Sequence, residues 1–385
     1  MQRHSSRIEL SQSALQNNID FIRGKIGNEA IISSVVKANA YGHGISEFVP
    51  MAETCGIRHF SVATSYEAEE VLDARTTEVD IMIMGILYPE DLPWVIEHEI
   101  EYFVYDFNRL QRSVEAARKA GKKAFIHLEL ETGGNRTGLQ ADKLDEAITF
   151  IKNHPDQLNL QGVCTHFAGI ESLSNQFRIQ QQKELFDDLC ARIENADLHP
   201  AYKHAACSAA ALAFPETVMD LVRVGTAQYG MWPSPDIYNL HLMQDDNPKD
   251  QTLQQVLSWK TDIMHIKEVQ KNQYIGYGTS FQAPRDMKIA VIPLGYGNGY
   301  ARSLSNRGRV LIRGQEAPIV GLINMNVFMV DVTDIRNVQI RDEVVLIGRQ
   351  EDRIISIKSF TEETDAINNE FISRLPAAIT RTVES

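Results

Sequence analysis

From residue 31 to residue 224 the chain alternates short apolar runs with longer helical stretches, and that alternation constrains the fold more than any other feature. Strands are expected at Ile31–Val36, His59–Ala63, Asp80–Met84, Glu101–Tyr105, Lys123–Leu130, Leu160–Thr165, Tyr202–Ala205 and Leu221–Val224, from their apolar content and the turn residues around them. Helices are expected between most of them, at Ser46–Cys55, Tyr66–Ala74, Pro89–His98, Asn108–Ala120, Ala141–Asn153 and Asn175–Asn195, with Ala206–Glu216 as a shorter helical link. Eight strands alternating with helices predict a parallel (β/α)8 barrel, an α/β fold. Ahead of it, Arg7–Leu10 reads as a strand. Ser11 reads as the cap of a helix running to about Ile26, with Leu10 and Leu15 placed as a hydrophobic staple.

At 385 residues the chain is long for one domain. Asp245-Asp246-Asn247-Pro248-Lys249-Asp250 is polar and holds a proline, which places the linker there. The expected division is a barrel domain at residues 1–245 and a β-rich domain at residues 246–385, with residues 1–10 able to pack with the second domain. In that domain Val256–Ile266, Lys288–Pro293, Arg309–Ile312, Ala317–Val320, Val327–Val332 and Glu343–Ile347 read as strands, and no long helix is expected before the final segment. A net charge of −13 argues against binding nucleic acid or an anionic membrane through the bulk surface. Cys55, Cys164, Cys190 and Cys207 have no CxxC spacing, so no metal site or redox pair is indicated, and they read as reduced thiols of a cytoplasmic protein. Met1 to Leu10 lacks an apolar signal core, and no later run is long enough to span a bilayer.

The chemistry of such a barrel sits at the C-terminal ends of its strands. Lys37 follows the first strand, Arg136 lies in the loop after the fifth, and His166 follows the sixth. His204 lies near the end of the seventh and Ser208 in the loop beyond it, while Arg223, Gly225 and Thr226 lie at the end of the eighth. Taken singly, these are an ordinary surface lysine, core histidines, an ion-pair arginine and a helix cap. Collected on one rim, they surround a lysine whose desolvated amine could form a Schiff base with a carbonyl.

Lys37-Ala38-Asn39-Ala40-Tyr41-Gly42-His43-Gly44 resembles the pyridoxal-phosphate lysine motif of the alanine racemase family. The resemblance continues in order along nearly the whole chain. It takes in Thr132–Gly138 with Arg136, Cys164–Ala168 with His166, His204–Ala210 with Ser208, and Arg223–Gly230. Beyond the barrel it takes in Gly276–Phe281 with Tyr277, Pro293–Gly299 and Pro318–Asn326. It implies pyridoxal 5'-phosphate as cofactor and a small amino acid as substrate. Lys37 and Tyr277 would be the two bases on opposite faces of Cα, with His166 hydrogen-bonded to Arg223, and Arg223 donating to the pyridine nitrogen. Tyr41, Ser208 and the N–H groups of Gly225 and Thr226 would hold the phosphate. Arg136 would meet the cofactor's phenolic oxygen and the substrate carboxylate. Tyr277 and Met325 would arrive from the other subunit of a head-to-tail homodimer.

Several positions depart from the family pattern. Glu129 stands where many relatives have a carbamylated lysine, and is expected to pair with Arg136 directly. Cys207 stands in place of an asparagine, Asn298 and Asn326 in place of aspartates, and Asn369 in place of a tyrosine that crowds the substrate side chain. The expected activity is racemisation of alanine, for peptidoglycan. The alternatives are a racemase for serine, lysine or arginine and a non-catalytic pyridoxal-phosphate carrier. The Gly276–Phe281 motif argues against the carrier, which lacks a second domain.

Overall fold

The computed structural model describes residues 4–244, 252–363 and 367–384 and divides into two compact units. The linker expected at Asp245–Asp250 lies outside the described residues. One unit comprises Leu15–Ala38 with Phe48–Gln254. It holds eight parallel strands, in spatial order Tyr202–His204, Leu158–Cys164, Ala124–Glu129, Glu101–Val104, Asp80–Ile83, His59–Val62, Ile31–Val35 and Leu221–Val224. The seventh and eighth strands close the ring loosely: Asp220 N–H donates to the Lys203 carbonyl at 3.2 Å and Arg223 N–H to the Ala206 carbonyl at 3.0 Å. Residues on both faces of these strands are buried, because helices cover the outside and side chains fill the inside. That explains why the strands read as continuous apolar runs.

The helices end where their sequences say they should. Asp106 Oδ1 accepts from Arg109 N–H at 2.7 Å, opening the helix Phe107–Ala120, and Gly121 closes it at φ 65°. Such a cap contributes about 1 kcal/mol. Ser11 Oγ accepts from Ala14 N–H at 3.1 Å at the head of Gln12–Ile26. The helix Pro235–Gln244 was not expected from the sequence; its apolar side chains do not fall on one stripe. No helix among the described residues is long and apolar enough to cross a membrane.

The other unit comprises Met1–Ala14, Asn39–Glu47 and Gln255–Ser385. Its larger sheet runs Gln315–Pro318, Arg309–Ile312, Glu343–Gln350, Leu257–Asp262, Ser6–Ser11 and Thr380–Glu384, with Arg353–Ile355 paired to the strand Glu343–Gln350. A second sheet joins His265–Val269, Met287–Ile292 and Phe328–Asp331. The single run expected at Val256–Ile266 is thus two strands in different sheets. Trp259, Tyr300, Phe360 and Phe371 form an aromatic core, with Tyr300 stacked on Phe328 at 4.7 Å between centroids. Thr380–Glu384 was also not expected as a strand; its side chains are mostly exposed, so it carries little apolar signal. Asn39–Glu47 is bound into this unit at Gly42, whose carbonyl accepts from Arg381 Nη2 at 2.9 Å. A Cβ at Gly42 would lie 1.9 Å from the Ile372 carbonyl oxygen, so only glycine permits that approach.

Candidate active site

The backbone leading to Lys37 is fixed from several sides. Val36 N–H donates to the Ser61 carbonyl at 2.9 Å. The Val35 carbonyl accepts from the Tyr229 hydroxyl at 2.9 Å and from Gln228 Nε2 at 3.1 Å, and Ser34 Oγ donates to Gln228 Oε1 at 2.7 Å. After Lys37 the chain turns left-handed: Ala38, Asn39, Ala40 and Tyr41 have φ of 53°, 53°, 51° and 52°. Left-handed backbone costs L-residues roughly 1–2 kcal/mol each, so something must hold it. Glu67 does part of this, accepting from Ala38 N–H at 2.7 Å and from Ala63 N–H at 2.8 Å. On the far side Asn39 Oδ1 accepts from Ile45 N–H at 3.0 Å. Glu67 and Gln228 were not singled out in the sequence; their task is to hold backbone, which leaves no motif.

Seven of the expected residues belong to the barrel unit: Lys37, Arg136, His166, Ser208, Arg223, Gly225 and Thr226. Solvent reaches the Lys37 side chain, yet desolvation by its surroundings, followed by the charges of Arg136 and Arg223, lowers its pKa against the opposing pull of Glu67. Burial, then Arg223, Arg136 and Lys37, brings His166 down to about 3, so its imidazole is neutral. Ser208 Oγ accepts from Gly225 N–H at 2.9 Å, where the starts of two short helices meet. Arg136 is exposed on a loop shaped by Glu131, which accepts from Asn135 N–H at 2.8 Å.

Two expected contacts differ. Arg223 bonds to His204 rather than to His166: its Nη1 donates to His204 Nδ1, and its Nη2 to the carbonyls of Thr165 at 2.7 Å and Ala205 at 3.1 Å. The reason is strand order, because His204 ends the strand beside Arg223. Glu129 is buried, and among the described residues no ion pair joins it to Arg136, which stays in solvent. Burial raises the Glu129 pKa, and its Oε2 has no partner among the described residues.

The other four expected residues, Tyr41, Tyr277, Met325 and Asn369, belong to the second unit. Tyr277 is 78% exposed between Gly276 and Gly278, which have φ of 78° and 80°. Met325 is 56% exposed on a loop whose carbonyl accepts from Gly297 N–H at 2.8 Å. In the same place Asn326 Nδ2 donates to Asn298 Oδ1 at 3.4 Å, a bond that two ionised aspartates could not make. Asn369 is half-buried near the start of the helix Asn368–Ser373, which approaches Gly42 next to Tyr41. Sequence reasoning missed His59, Glu101 and His127, buried polar groups inside the barrel. Their signal was available as charged or imidazole side chains inside otherwise apolar strands.

With this geometry in view, the similarities to known proteins are consistent from end to end. Residues 10–233 match the family described as alanine racemase, N-terminal domain, and residues 256–383 match alanine racemase, C-terminal domain. An alanine racemase from Leptospira interrogans is 32% identical over 381 residues, covering 99% of this chain and 96% of the relative. One from Clostridium perfringens is 34% identical over 377 residues, covering 97% and 94%. The solved alanine racemase of a D-cycloserine-producing Streptomyces lavendulae superposes with a TM-score of 0.90 at 27% identity, covering 100% of this chain and 98% of that one. A histidine racemase from Leuconostoc mesenteroides subsp. sake superposes with a TM-score of 0.89 at 27% identity, covering 100% and 99%. The barrel, the β-rich unit and the order of motifs along the sequence all agree with these matches, and the chain belongs to the alanine racemase family.

Proposed function

We propose that this protein is a pyridoxal-phosphate-dependent racemase that interconverts L- and D-alanine and supplies the D-enantiomer for peptidoglycan. The observation that carries the reading is Lys37, an amine of lowered pKa at the end of a barrel strand, under the influence of Arg136 and Arg223. The residues present fit the cofactor: the cations of Arg136 and Arg223 suit an anionic group, and the Ser208 hydroxyl, whose oxygen accepts from Gly225 N–H, keeps its own proton for a phosphate oxygen. When bound, pyridoxal phosphate supplies an electron sink for the charge left at Cα.

Racemisation requires a proton to leave one face of Cα and another to arrive on the opposite face, so two groups must flank it. In this reading Lys37 Nζ serves one face and the Tyr277 hydroxyl the other. Arg223 holds its own protons, because a guanidinium does not release them near neutral pH; with both Nη groups bonded to His204, Thr165 and Ala205, its Nε–H would be the donor to the ring, without acidifying it. His166, kept neutral, adds no further positive charge. Arg136 receives the substrate carboxylate, aided by the backbone at Met325, and Tyr41, Ser208, Gly225 and Thr226 receive the phosphate.

The barrel carries the cofactor groups and the β-rich part the tyrosine. The exposure of Tyr277 and Met325 supports a head-to-tail homodimer in which each subunit completes its partner's site. Four free cysteines fit a reducing cytoplasm. Asn369 favours a second reading, a wider substrate range than alanine, because an amide is smaller than a tyrosine ring and can bond a polar side chain. The test is loss of optical rotation for a panel of L-amino acids with purified enzyme and cofactor. No change for any of them refutes racemase activity, and a change for another amino acid but not alanine refutes the alanine assignment.

A further inference from the structure

We propose that Glu101 is the counter-charge of Arg223, coupled to it through His127 and His204 by a one-way run of hydrogen bonds, and that it acts as a positioning residue for the guanidinium. The proposal rests on the role given to Arg223 above. Glu101 is the first residue of the fourth barrel strand, at the end of the barrel opposite Lys37. Its Oε2 accepts from His127 Nε2 at 2.8 Å and from His59 Nε2 at 3.2 Å. His127 Nδ1 meets His204 Nε2 at 2.8 Å, and His204 Nδ1 meets Arg223 Nη1. His59 Nδ1 continues the run to Ser33 Oγ at 2.8 Å, and Ser33 to Ser61. Every residue from His59 to Arg223 in this run is at most 5% exposed.

The positions of the protons follow from the two ends. A guanidinium can only donate, so His204 Nδ1 must accept. A neutral His204 then carries its proton on Nε2 and donates it to His127 Nδ1. His127 in turn carries its proton on Nε2 and donates it to Glu101. Only this arrangement satisfies every bond. Burial keeps His127 and His204 neutral, and the two imidazoles bonded to Glu101 hold its carboxyl down at about 2 despite burial. The bonds from Nη1 and Nη2 of Arg223 all run to neutral acceptors, so its charge reaches that carboxylate through the rings. The other nearby carboxyl, Glu129, is pushed the opposite way by burial. The barrel also makes room for the run: a Cβ at Gly162 would lie 2.1 Å from His127 Nδ1. A polar line through a barrel interior has no packing advantage over apolar residues, since partly satisfied networks are costly.

Neutron diffraction from the purified wild-type protein tests the proton positions without reference to activity. Deuterium is expected on Nε2 of both His127 and His204 and absent from their Nδ1 atoms. Deuterium on Nδ1 of either ring overturns the proposal, whatever the protein's reaction. The second arm compares Glu101→Gln, which removes charge and keeps shape, with Glu101→Asp, which keeps charge. Asp156→Asn is the control, an exposed carboxylate in the turn before the strand Leu158–Cys164 that makes none of these bonds. In the holoenzyme Glu101→Gln is expected to lower kcat about tenfold, with KM within about twofold, and to shift the cofactor's visible absorption. Glu101→Asp should restore most of the rate and the spectrum, and Asp156→Asn should match wild type. Equal effects of the Gln and Asp variants, or a wild-type spectrum in the Gln variant, would mean that Glu101 is only a packing element.

Discussion

On the barrel, Arg223 has both Nη groups tied to neighbouring strands, and Lys37 follows backbone held by Ser61, Gln228 and Tyr229. In the second unit, Tyr277 stands mostly in solvent on a turn between two glycines. The first arrangement is organised before any ligand arrives. The second is left open to solvent. In the proposed reaction the two are equal partners, one base for each face, so preorganisation is divided unevenly between groups that do the same job.

The most severe way to break this comparison is Lys37→Ala. Visible cofactor absorption and racemisation should disappear together, with a rate loss beyond about 10³-fold. Substantial activity in that variant without added amine would remove Lys37 from the reaction. Tyr277→Phe should cost on the order of 10²–10⁴-fold, and unequally. Exchange of the Cα proton should suffer far more from one enantiomer than from the other. Because the residue is exposed, unfolding free energy should change by less than about 0.5 kcal/mol. Equal, small losses in both directions would contradict the assignment of one base to each face.

Acid sharpens the comparison without any substitution. His166 has a folded pKa of about 3 against an ordinary 6.5, so below 6.5 the unfolded chain binds a proton that the fold refuses. Its contribution to stability is therefore lost as pH falls from 6.5 towards 3, at about 1.4 kcal/mol per pH unit. The lowered pKa values of His127 and His204 act in the same direction. Glu101, lowered from 4.5 to about 2, contributes stability above 4.5 that is lost as pH falls through 2. All four lie in the barrel unit, whereas the second unit carries His43, lowered to about 3 by burial. Between pH 7 and pH 5 the urea midpoint of the barrel should thus fall further than that of the second unit. Variants that keep only Trp232 or only Trp259 would report each unit by fluorescence. A Trp232 midpoint unchanged between pH 7 and pH 5 would count against it.

The mildest effect is expected from Asn369→Tyr. Discrimination by pocket size is worth roughly 1–3 kcal/mol, so the serine-to-alanine ratio of kcat/KM should fall about tenfold or more. An unchanged ratio would mean that Asn369 does not face the substrate.

Much of this architecture was legible because the barrel strands are buried on both faces. Leu221–Val224 was expected with its observed bounds, and Glu101–Val104 within one residue. Arg136, His166 and Arg223 were singled out because barrel chemistry follows strand ends. Two things were not legible, and a third was overlooked. The left-handed turn at Ala38–Tyr41 uses residues with no preference for that conformation, and tertiary bonds impose it. The Arg223–His204 bond depends on which strands close the ring. Glu101 and His59 begin strands at the end of the barrel away from Lys37, where a search for catalytic groups does not look.

The strand Ser6–Ser11 lies between Leu257–Asp262 and Thr380–Glu384 in the larger sheet. Translation therefore releases one strand of that sheet long before either neighbour. A ribosome at about 5–20 residues per second would need on the order of ten seconds or more to reach Leu257. During that interval the segment must stay unpaired and avoid templating other chains. The barrel strands can assemble meanwhile, each beside the one just made for most of the ring. Chains ended between Gln244 and Leu257 and released from the ribosome should accordingly resist protease across the barrel while remaining cleavable near Arg7.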